Sequence, residues 1–442
     1  MKMRKWLLAV VAIVVVIAAN LLVAEIAAGI YYRVTTGSFI WKRTVAASSA
    51  PAAPAAEDPV RTKMVLDPYF GDNTLAGVRF RGLWTDEFYK QRITGQDYLP
   101  SYYDKLSVNK YGLWSLHEYP YKPKDDEFVV GIFGGSVAFH FWLSTLDERS
   151  PTLKKFAAAT GKKVVFLNFA SGGRKQPQSM LELAYFMSLG QKFDFVLNID
   201  GFNEVYDGWI NVKTYGVDYS MPFAEFAYKI QNAFLERGVR GGEQASGSLI
   251  DSRDSWERRA ATTRSALVYY LADLMHQRYV GKVVELETRL ADRKALRYPV
   301  QLVPSETENF DEVIPKIAAL WFNSSVAMSR MTAPAGIPYL HVLQPNQYFS
   351  KKVLSPEETE WGVRAAPNVP FPKIVPQAYE AFLSYRPQFA AQRVAFIDAT
   401  PIFDSTTDTA FIDWCCHVNE RGNGMVGRLI EPKMIEMLAQ PK

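Results

Sequence analysis

Nineteen consecutive positions, Trp6 to Ala24, carry no charge and one polar side chain, Asn20, directly after the basic opening Met-Lys-Met-Arg-Lys. At about 1.5 Å per residue such a helix just crosses a hydrocarbon core of roughly 30 Å. A cleaved signal peptide has a shorter apolar region and a small-residue cleavage site. Sites of that kind exist within Ala47–Ala56, but the length favours an uncleaved anchor through residues 6–24. Lys2, Arg4 and Lys5 then stay in the cytoplasm, Tyr31 and Tyr32 sit at the outer interface, and the rest of the chain is periplasmic or extracellular. The expected organisation is an anchor over 1–30, a juxtamembrane and Ala/Pro-rich linker over 31–65, and one domain over 66–442.

Beyond the linker the pattern changes to short apolar runs separated by longer helical periods. Five runs read as buried strands: Phe128–Phe133, Lys163–Phe169, Asp194–Ile199, Pro338–Leu343 and Val394–Ile397. Helical patterns such as Ser179–Leu189 and Ile314–Met331 alternate with them, which predicts an α/β domain with a parallel sheet between helices. The rhythm breaks between about 206 and 313, where helix-like pieces at Pro222–Glu236 and Ala260–Leu290 flank a Gly/Ser/Arg-rich loop. This reads as a helical insertion after the third strand. Tyr69–Lys122 is an aromatic-rich leader before the first.

Charge and cysteine content narrow the function. Of a formal charge of +4, residues 1–43 supply +5 (six cations, one anion), leaving the remainder near −1. That speaks against a nucleic-acid-binding surface. Two cysteines and five scattered histidines give neither a disulfide framework nor zinc-ligand spacing, so no metal or cofactor is expected.

The candidate chemistry lies at the strand ends. The first strand runs into Gly134-Gly135-Ser136, a tight bend that exposes a hydroxyl, although a serine here is commonly a helix N-cap. The second ends in Asn168-Phe-Ala-Ser-Gly172-Gly173-Arg174, where a glycine presents its N–H or merely makes a turn. The third ends in Asp200-Gly201-Phe202-Asn203-Glu204, and Asn203 could cap a helix. Near the C-terminus stands Asp413-Trp-Cys-Cys-His417, in which an aspartate can orient an imidazole. The four in this order carry more than each alone.

Together they resemble the SGNH, or GDSL-like, esterase and acyltransferase superfamily over roughly residues 127–430. The resemblance implies a flavodoxin-like three-layer sandwich with a five-stranded parallel sheet in order 2-1-3-4-5. It implies Ser136 as nucleophile, with the N–H groups of Ser136 and Gly173 and the Asn203 side chain as oxyanion hole, His417 as base and Asp413 as its carboxylate. Three residues separate Asp413 from His417 where the family usually has two, so Asp404 and Asp408 stand as fallbacks. Glu204 replaces the family's usual aspartate and is expected to form a local hydrogen bond. Gly172, Arg174, Gln344 and Asn346 are candidate substrate contacts, His341 a core residue, and Cys415/Cys416 either free thiols or a vicinal disulfide. The expected activity is cleavage of an acyl, chiefly acetyl, ester on a cell-envelope carbohydrate or lipid. The alternatives are O-acyl transfer onto an exported polysaccharide and a non-catalytic glycan-binding or assembly protein.

Overall fold

The computed structural model describes residues 2–40, 64–67, 70–80, 89–94, 99–147, 149–222, 249, 252–253, 255–260, 262–291, 302–363 and 369–439. The Ala46–Ala56 tether and nearly all of the helix-like piece at Pro222–Glu236 lie outside them. The chain divides into two compact units. One comprises residues 1–58 and 231–299, the other 59–230 and 300–442.

The larger unit is an α/β domain. Its central strands are β1 (Glu127–Gly134), β2 (Lys163–Ala170), β3 (Phe195–Asp200), β4 (Tyr339–Leu343) and β5 (Ala395–Asp398). All pairings are parallel, in the order β2-β1-β3-β4-β5. Each predicted strand forms within one residue or so of its expected bounds. Every residue of β3 and β4 is buried, so these segments read as unbroken apolar runs. The helices used below are α2 (Ser136–Leu146), α3 (Gln178–Ser188), α4 (Phe202–Ile210), α6 (Phe310–Thr332), α7 (Phe371–Leu383) and α8 (Glu420–Leu438) in this unit. In the smaller unit lie α1 (Lys2–Thr36) and α5 (Ala266–Ala291).

An edge strand exposes unpaired peptide groups and must be covered. The aromatic leader does this for β2. The Tyr119 hydroxyl accepts from Asn168 N at 2.9 Å and donates to Asn168 O at 3.0 Å, while its ring stacks on Phe169. Asn168 Nδ2 reaches Trp114 O at 3.0 Å, tying the leader to the strand that precedes the glycine loop.

The sequence places the insertion at 206–313, but its ends belong to the sheet unit. Val217 bridges Pro304, Asp218 N donates to Val303 O at 2.8 Å, and Phe310 and Val313 of α6 enter the core. Only the middle, represented by α5, groups with α1.

A buried carboxylate at the tip of β3 joins three elements. Asp200 Oδ1 meets His341 Nε2 at 2.7 Å and accepts from Trp321 Nε1 at 2.6 Å; Oδ2 accepts from Gln176 Nε2 at 2.9 Å and Asn198 Nδ2 at 2.7 Å. His341 is a core strand residue, as expected, and Asp200 is the partner that permits it there. Burial raises the pKa of Asp200, but the His341 charge and these hydrogen bonds outweigh it and hold it below its usual value. Asp200→Ala strands four buried donors and is expected to cost about 3–5 kcal/mol. Urea unfolding measures this, and a loss below about 1 kcal/mol would contradict it.

Candidate active site

Three strand ends converge because β1 lies between β2 and β3. β1 closes on Gly134, whose φ of +132° and position 2.0 Å, at a built Cβ, from Ile199 O admit no side chain. Gly135 is the N-cap of α2, so Ser136 is the first helical residue rather than the cap, and its hydroxyl is not spent on capping. It stands at the positive end of the helix dipole, where developing negative charge is stabilised.

The β2 loop turns back onto this bend. Ser171 N donates to Gly134 O at 3.2 Å, Arg174 N donates to Ser171 O at 3.2 Å, and Gly173 takes the left-handed φ of +71° the turn requires. Asn203, in the first turn of α4, donates through Nδ2 to Arg174 O at 2.8 Å. An amide carries two N–H donors, so one is left for another acceptor. A Cβ on Gly135 would lie 2.2 Å from Asn203 Nδ2 and 3.0 Å from Arg174 O, which puts the bend, the glycine loop and the asparagine in contact. Gly135→Ala must displace that amide. It is expected to lower kcat by about 10²–10³, the usual loss for one oxyanion donor, with the fold retained by circular dichroism; unchanged kcat would refute the assignment.

Glu204 fastens the same two loops from beneath. Its Oε1 accepts from Gln176 N and its Oε2 from Gly201 N, both at 2.9 Å. Burial, then the neighbouring Asp200 charge, pushes this carboxyl up to about 8. The expected local hydrogen-bonding role is what it performs.

The fourth element is the loop before α8. His417 Nδ1 donates to Asp413 Oδ2, while Asp413 Oδ1 accepts from the N–H groups of Cys415 at 3.0 Å, Cys416 at 3.2 Å and His417 at 3.3 Å. These three bonds curl the backbone and bring the carboxylate to the ring despite the extra residue. Asp404 accepts from Ser350 and Lys351 N, and Asp408 pairs with Arg421, so neither fallback serves His417. The His417 ring stacks on that of His140 with centroids 4.7 Å apart. His140 lies one helical turn after Ser136 on the same face of α2, so the stack holds the imidazole against the helix that begins at Ser136.

His417 Nε2 is buried and without a partner among the described residues. With Nδ1–H committed to Asp413, neutral His417 offers Nε2 as a bare acceptor. Ser136 Oγ is not yet hydrogen-bonded to it, and such bonds often form only when substrate closes the site. Burial lowers the His417 pKa, but the Asp413 charge, the neighbouring Cys416 and the Asp413 hydrogen bond together outweigh it and lift it to about 9. Burial, aided by a charged His417, pushes His140 down to about 3, so His140 stays neutral. The Asp413 side chain is 34% exposed and that of His417 17%, leaving the pair accessible from solution.

The four proposed substrate contacts differ in their surroundings. Arg174 is fully buried, its Nε 3.0 Å from Glu182 Oε1 and its Nη1 donating to Phe70 O at 2.7 Å. Asn346 is equally buried and donates through Nδ2 to Cys415 O at 3.2 Å. Gln344 is buried, with its backbone N on Asp200 O and its side-chain Nε2 without a partner among the described residues. Gly172 remains exposed beside the glycine turn. The β4 end has another task, which the sequence reading missed. Asn346, Gln347 and Tyr348 hold the carbonyls of Cys415, Asp413 and Trp414 respectively, the last two at 3.0 and 2.8 Å, and so brace the histidine loop. The sequence signal was the position of these polar residues at a strand's carboxyl end.

Cys415 and Cys416 are free thiols with Sγ atoms 3.0 Å apart. Both lie with a His417 ring nitrogen within 4.8 Å of one another, the one such convergence of donors among the described residues. These three could accept a soft cation, although the arrangement of Ser136, His417 and Asp413 does not call for one.

No family model matches the chain, and no curated protein does. Among solved structures it is similar to a GDSL-like lipase from Bacteroides thetaiotaomicron, at 9% identity and a TM-score of 0.32, over 71% of this chain and 91% of that one. It is also similar to the lipase Lip_vut3 from a goat rumen metagenome, at 10% identity and a TM-score of 0.26, over 70% and 95%. The α/β architecture stated above rests on the strand order of this chain itself.

Proposed function

We propose that the protein is a membrane-anchored serine esterase that cleaves an acyl ester, chiefly acetyl, on a cell-envelope carbohydrate or lipid. The observation that carries the reading is the unpartnered His417 Nε2, whose other nitrogen is held by Asp413 and whose ring is stacked on the helix that begins at Ser136. His417 takes the hydroxyl proton as Ser136 Oγ attacks the ester carbonyl, forming a tetrahedral oxyanion. The N–H groups of Ser136 and Gly173 and the Asn203 amide stabilise that charge. His417 then returns the proton to the departing alkoxide. A water, deprotonated by the same imidazole, releases the acid from the acyl-enzyme.

The anchor is supported by α1, which is long and apolar enough to span a bilayer. The test is acetate release from p-nitrophenyl acetate and from an O-acetylated oligosaccharide by the purified full chain, with Ser136→Ala alongside. Serine-dependent acetate release supports the esterase. Consumption of ester only when a sugar acceptor is added, with the acetyl recovered on that acceptor, would replace it by a transferase. No serine-dependent turnover of either ester would reject it.

A further inference from the structure

The smaller unit contains an intramolecular junction that the esterase reading does not use. Glu25, the lone carboxylate of α1, meets the start of α5: it accepts from Ser265 Oγ at 2.6 Å, Ala266 N at 2.7 Å and Leu267 N at 3.0 Å. An anion at a helix N-terminus satisfies donors that have no partner within the helix. The contact continues outward. Tyr32 packs edge-on against Tyr269, Tyr31 packs against Tyr270, and Thr35 Oγ1 lies 3.3 Å from the Tyr270 hydroxyl. As α1 advances from Glu25 to Thr35, α5 advances from Ala266 to Tyr270, so the two helices leave the junction in the same sense.

This fixes where α5 begins relative to a bilayer. If residues 6–24 cross the hydrocarbon core, Glu25 stands at its outer boundary and the first turns of α5 lie in the headgroup layer, about 5–8 Å thick. The face of α5 turned from α1 is apolar and open: Val268 and Leu271 in its first two turns are 43 and 52% exposed, and Leu274 beyond them is 64% exposed. Just before them come three exposed arginines, Arg258, Arg259 and Arg264, with Arg259 over the Trp256 ring at 5.1 Å. Apolar side chains beside arginines and a tryptophan suit the boundary between acyl chains and phosphate.

We propose that residues 255–260 and 262–274 form a second membrane contact, with Leu271 and its neighbours in the outer headgroup layer and the three arginines bound to anionic phospholipid. It rests on the reading of α1 as a membrane span, and on nothing in the catalytic proposal.

The test uses the full chain in nanodiscs of phosphatidylcholine with or without phosphatidylglycerol, in a Cys415→Ser/Cys416→Ser background. A nitroxide is attached at Leu271→Cys or, as control, at Val16→Cys. Expected is preferential relaxation by oxygen over a water-soluble nickel chelate at both sites. At Leu271 the preference should rise with phosphatidylglycerol, and Arg258→Gln/Arg259→Gln/Arg264→Gln should abolish that rise. A Leu271 label open to nickel while Val16 is lipid-exposed would overturn the second contact alone. Leu271 shielded from both reagents would also overturn it, in favour of a protein contact. Nickel access at Val16 would overturn the span and the contact together.

Discussion

Ser136→Ala is expected to reduce ester turnover by about 10⁶, the cost of removing the serine or the histidine from a unit in which nucleophile and base act together. His417→Ala should lose about as much, and the double variant hardly more, because either loss already removes the proton-coupled attack. The structure gives the reason for this non-additivity. His417 is held by Asp413 on one side and offers Nε2 on the other, and no further described side chain is hydrogen-bonded to that nitrogen. Steady-state rates on p-nitrophenyl acetate, with unfolding curves to show that both variants fold, make the measurement. The Ser136 hydroxyl is not used to cap its helix, so stability should be within about 0.5 kcal/mol of the parent. A Ser136→Ala variant as active as the parent would remove the serine mechanism, and with it the roles of Asn203 and Gly173.

The parts of this site that were legible in the sequence are those fixed by local chain geometry. A glycine bend after an apolar run, a glycine turn after the next, and an asparagine just inside the helix after the third each follow from one strand end. The parallel order β2-β1-β3 then brings them together. Asp413 was legible as a candidate, but its reach to His417 was not, because it depends on three backbone N–H groups turning onto one carboxylate oxygen. The residues whose role the sequence left open share a cause. Arg174, Gln344 and Asn346 stand at strand ends, where polar side chains meet substrate or brace loops equally well, and only burial separates the two. Arg174 is buried because Glu182, eight residues on in α3, neutralises it. Likewise Asp200 gave no sign in the sequence that it would gather donors from β3, β4, α6 and the glycine loop. The pairing of Val217 with Pro304, which ties the two ends of the 206–313 segment together, left no mark in the sequence pattern.

Asp413→Asn should lower kcat on the same ester by about 10⁴ while leaving the loop largely in place, since an amide oxygen can still accept the three backbone bonds. The pH dependence makes this more than a loss-of-function test. In the parent, the carboxylate holds His417 protonated up to about 9, so the neutral base needed for catalysis accumulates only as pH rises through that value. The kcat/KM profile, which reports the free enzyme, should therefore climb across pH 7 to 9 and level off above it. Removing the negative charge leaves burial as the dominant influence, so the rising limb should move to lower pH even as the plateau falls. Stability runs the other way. A histidine whose pKa is raised by folding contributes stability that is complete below its unfolded value, about 6.5, and is lost as pH rises through about 9. Asp413, held below its usual value despite burial by the His417 charge and hydrogen bond, contributes stability above the usual carboxylate range that is lost as pH falls. The Asn variant should lose both dependences, flattening the unfolding midpoint between pH 6 and 9. If the rising limb stays fixed while kcat drops, Asp413 orients the ring without setting its charge. If kcat itself is unchanged, the base must draw its orientation from the His140 stack and the backbone alone, and Asp413 has no part in the chemistry.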